Sequence, residues 1–557
     1  MVGYKPRCPR VVEVLDKRTA DKAERLPPQI RRLLASQLFS SMKNTLLHLC
    51  WLLAALPTLG GSTALAQKLD AGPDRVSTDL AVAMPRLGTV KPRSTAEIGA
   101  SNWLIGCETL DRDFADYDQY KTYIAPLGIK RLRMQAGWNK TEKVKGKYDW
   151  KWLDNIINDA HKRGLQPWLQ LSYGNQNYPG GGGANLGAGM PTSPEALAAW
   201  DRWVEALVKR YKGKVTDWEI WNEPNFADNL DNTPERTAAL HVRTIDIVKR
   251  VQPEARISGL ALGHMDLPYA EAFFKALADQ DRLKLLDNIT YHDYTYNPDS
   301  HYPKVLALRA SLHKYAPGMR LRQGENGAPS GGGYGRGALA EHDWTELTQA
   351  KWDTRRMLGD LGHDVETSIF GIIEMAYTNG PINRMNYKGI IKSDSSKKAL
   401  GPKMAYYAIQ NVTSIFDNSL QRIEQLEGKH NAAIVPTNPD AVVYTKGTDR
   451  NLAVYGYRHV TTKKQLYTIW ANDHVPAESN KTRNLTFTFA NADIDQPVYV
   501  DIVSGRVYEI PATQWKKVGN IYTFTDIPVY DAPILIADKS LIKIQPLSTA
   551  RAANPTP

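Results

Sequence analysis

Two glutamates in this chain stand where an extended run breaks, each beside an amide. The first is Glu223, in Trp218-Glu219-Ile220-Trp221-Asn222-Glu223-Pro224-Asn225. Pro224 has no backbone N–H and a fixed φ, so a strand through Trp218–Trp221 must end as Glu223 is reached. A carboxylate is thereby set at a strand mouth, with Asn222 beside it and indoles just before it. The second is Glu325, in Arg322-Gln323-Gly324-Glu325-Asn326-Gly327. Cleavage of a glycosidic bond needs such a pair. One carboxyl stays protonated to release the leaving oxygen, and the other attacks the anomeric carbon or activates water. A separation of about 5–5.5 Å means retention of configuration, and about 6.5–9.5 Å means inversion.

The elements that must position this pair alternate in type. Candidate strands run over Asn102–Cys107, Ile129–Met134, Gln166–Ser172, Val215–Trp221, Arg256–Leu262, Asn288–Asp293, Arg320–Glu325 and Ser368–Ala376. Helical patterns lie between them at Trp150–Arg163, Pro194–Tyr211, Pro234–Val251, Pro268–Leu277, Lys304–Tyr315 and Thr345–Leu361. Pro194, Pro234 and Pro268 suit first helical turns, with Ser193 and Thr233 placed as caps. This order predicts an α/β fold, a (β/α)8 TIM barrel over 99–412. An open doubly wound sheet would want a Gly-rich turn after its first strand, and Ile105-Gly106-Cys107-Glu108 supplies none. In the barrel Glu223 ends strand four and Glu325 ends strand seven, on opposite sides of the mouth where catalytic groups gather.

Beyond 412 the texture changes to short runs separated by turn residues, from Ala441–Lys446 to Pro533–Ala537, with no long helical pattern. It predicts an all-β sandwich over 413–545. Residues 67–98 read as a linker or a strand lent to that sandwich, and 546–557 as a disordered tail.

Composition sets the class: 557 residues, 23% charged and 42% hydrophobic, describe a globular protein of more than one domain. Of its 70 Lys/Arg and 59 Asp/Glu, residues 1–66 hold 10 and 4. Residues 67–557 therefore carry 60 against 55, a net of +5 with no basic stripe, which excludes a nucleic-acid footprint. Met42-Lys43, the apolar stretch Thr45–Leu59 and Ala64-Leu65-Ala66 form a secretory signal over 42–66, cleaved near Ala66. The apolar stretch is shorter than the roughly 20 residues a membrane span needs. The expected product is therefore secreted or periplasmic, with no transmembrane span. Residues 1–41 read as an upstream extension before a start at Met42. Of three cysteines the exported chain keeps only Cys107, so packing rather than a disulfide must hold it.

Trp221-Asn222-Glu223-Pro224 resembles the acid/base motif of the clan A retaining glycoside hydrolases, and Gly324-Glu325-Asn326-Gly327 resembles the nucleophile motif of that clan. The order of segments, with a sandwich following, is most similar to glycoside hydrolase family 39 and its relatives, over roughly 99–540. The resemblance implies double displacement with Glu223 as general acid/base, Glu325 as nucleophile and no cofactor. It implies that Arg133, ending strand two, holds the nucleophile ionised, and that Asn222 binds the sugar 2-hydroxyl. His292 and Tyr294, in Tyr291-His292-Asp293-Tyr294, match the His-x-Tyr pattern that lines the subsite before the cleaved bond. One departure stands out: where many clan members carry a tryptophan at the end of strand eight, this chain reads Glu374-Met375-Ala376-Tyr377, leaving Tyr377 as the substitute.

Other readings compete at several positions. Glu219 shares a parity with Glu223 but lies deeper, as an interior structural acid would. Glu108 and Glu374 are rival strand-end acids, Glu108 is a second partner for Arg133, and His292 is also a candidate core histidine. Trp138, Tyr173, Trp103 and Trp344 fall near strand ends, where rings either stack on sugars or pack, whereas Trp200 and Trp203 have helical core spacing. The loops Gly180–Asn185 and Gly331–Gly337 lack a phosphate-cradle context and read as flexible cleft rims. No motif suggests a metal site. The expected partner is an oligo- or polysaccharide, the sugar and linkage being open. A transglycosylase with the same glutamates, or a non-catalytic polysaccharide-binding protein of exopolysaccharide assembly, are the alternatives.

Overall fold

The computed structural model describes residues 75–226, 231–331, 337–379, 382–429, 441–445, 449 and 451–547. The predicted extension and signal, 1–66, lie outside the described residues, as does the tail beyond 547. Barrel and sheets belong to one compact unit.

A strand β1 (Arg86–Val90) precedes a closed parallel barrel of eight strands: β2 (Trp103–Gly106), β3 (Arg131–Gln135), β4 (Gln166–Leu171), β5 (Asp217–Ile220), β6 (Arg256–Leu262), β7 (Asn288–His292), β8 (Arg320–Asn326) and β9 (Glu366–Ile369). The helices Pro194–Tyr211 and Pro234–Val251 start where their prolines place them, with Ser193 and Thr233 accepting from the N–H three residues on. The expected strand over Ser368–Ala376 is corrected. It is shorter and earlier, ending at Ile369, and the chain then leaves the barrel for a hairpin of β10 (Met375–Asn379) and β11 (Ile382–Asn386). A helix Tyr117–Leu127 between β2 and β3 was absent from the sequence reading, although Asp116 caps its start and Gly128 its end.

The barrel interior is layered by charge rather than filled with aliphatic residues. Arg131 and Arg322 both pair with Glu366 near the bottom, and burial's opposite pull is overcome by those guanidiniums, which hold the Glu366 carboxyl down at about 2. Trp168 separates this layer from the next, its ring facing Arg322 at 4.7 Å and Arg133 at 5.4 Å. Arg133, Glu219 and Thr290 form the upper layer, beneath the mouth.

The C-terminal region is two β-sheets, one of eight strands and one of five. β1 pairs antiparallel with Arg506–Glu509 and with Ile544–Pro546, so the segment ahead of the barrel lends a strand to the larger sheet. Pro546 is thus paired rather than part of a tail. The sheets are fastened to the barrel by buried polar contacts: Lys351 on the helix Glu346–Gly362 meets Asp531 at 2.7 Å, Arg355 on the same helix donates to the His474 carbonyl at 3.1 Å, and Trp470 Nε1 donates to Asp299 at 2.9 Å. Among the described residues no helix is long and apolar enough to cross a membrane.

Candidate active site

Strand β5 ends at Ile220, one residue short of expectation, and the chain turns sharply, with Trp221 at φ 64° and Glu223 at φ 46°. Left-handed φ is unfavourable for residues with a side chain, by about 1–2 kcal/mol each, so the turn is held from outside. The Glu223 N–H donates to Ala261 O at 2.9 Å. Gly263 supplies the space, since a Cβ there would come within 2.9 Å of the Glu223 Cβ.

Arg133 organises the floor. Its guanidinium has five N–H donors, and each meets an acceptor. Nε donates to Glu219 at 2.8 Å, Nη1 to Glu108 at 2.6 Å and to Glu325 at 3.2 Å, and Nη2 to Asn222 at 2.8 Å and to His292 Nε2 at 3.2 Å. Both partners expected for Arg133, a structural acid and the nucleophile candidate, are therefore real. Glu219 is wholly buried, taking further bonds from Gln170 and Thr290, which makes it scaffold. Asn222 Oδ1 also accepts from Gln170, and its Nδ2 donates to Tyr173 Oη at 2.8 Å.

The two candidate carboxylates sit in different surroundings. Glu325 accepts from Tyr294 Oη at 2.7 Å and from Arg133 Nη1 at 3.2 Å. Glu223 has no guanidinium in hydrogen-bonding contact among the described residues. Burial pushes its carboxyl up to about 7, with Arg133, His264 and Arg112 pulling the other way. His292 Nδ1 lies 2.7 Å from Glu223 Oε1, and burial pushes the imidazole down to about 4, so the ring is neutral. An oxygen of Glu223, a nitrogen of His292 and an oxygen of Glu325 all lie within 4.8 Å of one another. A cation among them would meet the guanidinium of Arg133, which already touches His292 and Glu325.

A cavity of about 610 Å³ opens over this floor, lined by Asn222, Glu223, Glu325, Tyr294, Tyr173 and Tyr377 among others. Tyr377 reaches it from β10 rather than from the end of strand eight, where Phe370 stands, also in the lining. Trp138 is a correction. It opens a one-turn helix after β3, its ring stacks on Tyr178 and Trp203, and its Nε1 donates to Glu142 at 2.6 Å. It is wholly buried outside the cavity and supports the rim, while Gln135 takes the lining position. Trp103 and Trp344 are likewise core, donating to the carbonyls of Phe416 and Leu339.

Of the rival acids, Glu374 is buried against Lys403 at 2.6 Å, away from the cavity. Glu108 touches Arg133 below the cavity, and burial against Arg133's opposing pull leaves its carboxyl at about 8. The first glycine loop is folded rather than loose. Gly174 N donates to Gly183 O and Gly181 N to Tyr178 O. A Cβ on Gly182, at φ 76°, would strike Gly189 O at 2.0 Å. Asn185 and Leu186 from this loop line the cavity.

The sequence reading missed Arg112, Phe226, Asn386 and Lys388, all in the cavity wall. Phe226 was within reach of it, three residues past Glu223. The others arrive from connections whose path no local pattern encodes.

The family model described as Glycosyl hydrolases family 39 matches residues 91–315. The structure is similar to that of a family 39 glycoside hydrolase from the gut symbiont Bacteroides cellulosilyticus WH2, with 18% identity, TM-score 0.53, and 79% of this chain covered against 81% of that one. It is also similar to the family 39 enzyme from Xanthomonas axonopodis pv. citri, at 14% identity, TM-score 0.49, with 82% and 97% covered. No curated protein matches. At such identities the structural likeness speaks to the fold alone.

Proposed function

We propose that the chain, a glycosidase whose residues 91–315 match the family 39 glycosyl hydrolase model, is an exported enzyme that cleaves an oligo- or polysaccharide with retention, by double displacement. The observation that carries this reading is the placement of oxygens of Glu223 and Glu325 within 4.8 Å of one another. Inverting enzymes need room for a water between their carboxyls, about 6.5–9.5 Å, and retaining ones only about 5–5.5 Å. Glu325, which accepts from Arg133 and Tyr294, attacks the anomeric carbon. Glu223, which burial keeps protonated up to about pH 7, gives its proton to the leaving oxygen. The glycosyl ester on Glu325 then yields to water, whose proton returns to Glu223. Arg133 and His292 position the two carboxylates. Asn222, whose Oδ1 accepts from Arg133 and Gln170 and which lines the cavity, meets the 2-hydroxyl in this reading. Tyr173 and Tyr377 supply ring surface at the cavity wall. The signal pattern over 42–66 supports export.

The test is replacement of Glu223 by alanine. With a 4-nitrophenyl glycoside, whose leaving group needs no acid, the variant should stall as the glycosyl-enzyme and be rescued by azide as a glycosyl azide of retained configuration. An azide of inverted configuration from Glu223→Ala, with Glu325→Ala rescued to the retained azide, would exchange the two roles.

A further inference from the structure

We propose that the cavity selects a saccharide bearing an anionic group, which pairs with Lys388 beside the nucleophile. The inference rests on the glycosidase reading above and adds the class of its substrate.

Three cations line or floor the site, and two have their carboxylates. Arg133 is shared by Glu108, Glu219 and Glu325, and Arg112 pairs with Asp111 at 3.3 Å. Lys388 differs. It is 1% exposed, yet it lines the cavity, and its Nζ donates to the main-chain carbonyl of Ala338. Among the described residues it forms no ion pair. Glu325 and Asp353 act on it only from beyond contact distance. A buried ammonium without a counter-ion is costly, and this one has, besides the Ala338 carbonyl, the ring of Tyr294, 5.2 Å to its centroid, in the same cavity wall.

The wall around it is built of donors. The Lys388 N–H bonds to Asn386 Oδ1 at 3.1 Å, fixing the turn after β11, and Asn386 Nδ2 donates to Tyr377 Oη at 3.1 Å. Gly337 faces this wall, and a Cβ there would stand 3.0 Å from both Asn386 Nδ2 and Lys388 Nζ. The two donors thus stand side by side next to Gly337 in the cavity wall. A carboxylate or a sulfate ester on the sugar matches such a wall, because either offers acceptor oxygens to an ammonium and an amide together. A neutral sugar offers hydroxyls and leaves the charge unmatched. Burial pushes Lys388 down to about 7, so an anionic ligand would also hold the lysine in its charged form.

The experiment uses 4-nitrophenyl glycosides in matched pairs and in both anomeric series: glucoside with glucuronide, galactoside with galacturonide, and each neutral member with its 6-sulfate. The full chain should favour an anionic member over its neutral partner by about tenfold or more in kcat/KM. The responding arm separates carboxylate from sulfate. Lys388→Met should lower kcat/KM for that anionic substrate about 30-fold more than for its neutral partner, and Lys388→Arg should recover part of the difference. Equal losses in the Lys388→Met variant, or a parent enzyme that prefers the neutral series, overturn the inference and leave the glycosidase mechanism standing. If Lys388→Met does not fold, Lys388→Arg and the parent's preference still decide. Absence of turnover on every pair overturns the inference, while the glycosidase reading, whose sugar is open, stands or falls on the azide rescue.

Discussion

His292 donates its Nδ1 proton to Glu223 Oε1 across 2.7 Å, because Arg133 fixes the tautomer. Arg133 Nη2 can only donate, so His292 Nε2, 3.2 Å away, must accept. The neutral ring then carries its hydrogen on Nδ1. Glu223 Oε1 is thereby occupied, and Oε2 is left for the proton that catalysis moves. One guanidinium thus fixes Glu223 through the imidazole and touches Glu325 directly.

Replacing His292 by phenylalanine removes that donor while keeping a ring. A donor to a carboxylate favours its charged form, so Glu223 should hold its proton more tightly in the variant. The basic limb of the kcat/KM profile should move to higher pH, and kcat should fall about tenfold or more. A limb that stays in place would show that the histidine does not act on the acid.

The parent enzyme should lose activity as pH rises through about 7, where Glu223 gives up the proton it must donate. The same shift has a cost in stability. A carboxyl raised from its ordinary 4.5 to about 7 on folding leaves stability intact below pH 4.5 and lowers it progressively as pH rises to 7. Glu223→Gln should therefore be inactive on unactivated substrates but more stable. Its advantage in unfolding free energy should grow from pH 5 to pH 8, toward about 3 kcal/mol. Thermal unfolding across that range checks the sign.

Gly263→Ala is the steric counterpart. Its Cβ would sit 2.9 Å from that of Glu223, so the acid must shift. Misplacement on this scale costs about 10²-fold in kcat, which steady-state kinetics on an unactivated glycoside will show. An activated aryl glycoside should suffer less, because its leaving group needs less help.

Tyr294→Phe removes the 2.7 Å bond to Glu325. Loss of one preorganised donor typically costs about 10²-fold, and here the loss should fall on kcat for formation of the glycosyl-enzyme. Pre-steady-state release of nitrophenol separates that step from hydrolysis.

Lys351→Ala tests the joint between barrel and sandwich. It strands Asp531, now paired at 2.7 Å, in a buried position. Removing one member of such a pair costs about 3–5 kcal/mol, measurable by denaturant unfolding as one cooperative transition at lower midpoint.

Much of this arrangement was legible in the residues. Pro224 and the asparagine before Glu223 located the end of strand four, and the spacing of apolar runs carried Glu325 to strand seven. The helices Pro194–Tyr211 and Pro234–Val251 were placed to the residue, since cap and proline chemistry are local, and the one expected at Pro268–Leu277 is longer by one residue at each end. The departures came where tertiary contacts decide. Trp138 follows a strand as a sugar-stacking ring would, but a one-turn helix rotates it under the rim onto Tyr178 and Trp203. Strand eight ended early because Phe370-Gly371 turns away to close over the mouth, a choice that the continuous apolar run Ser368–Ala376 hides. Lys388 was unreadable for the same reason: its place depends on how a hairpin folds back across the barrel. The glycine loop looked flexible by composition, whereas its glycines are there because neighbouring carbonyls leave no room for a Cβ.

The central claim is that Glu325 attacks the sugar while Glu223 supplies and recovers the proton. Proton NMR of the first-formed product, recorded before mutarotation, tests it most directly. The account predicts that the anomer released has the configuration of the bond cleaved, whichever glycoside proves to be the substrate. An initial product of opposite configuration would contradict it, since a single displacement by water cannot pass through an ester on Glu325.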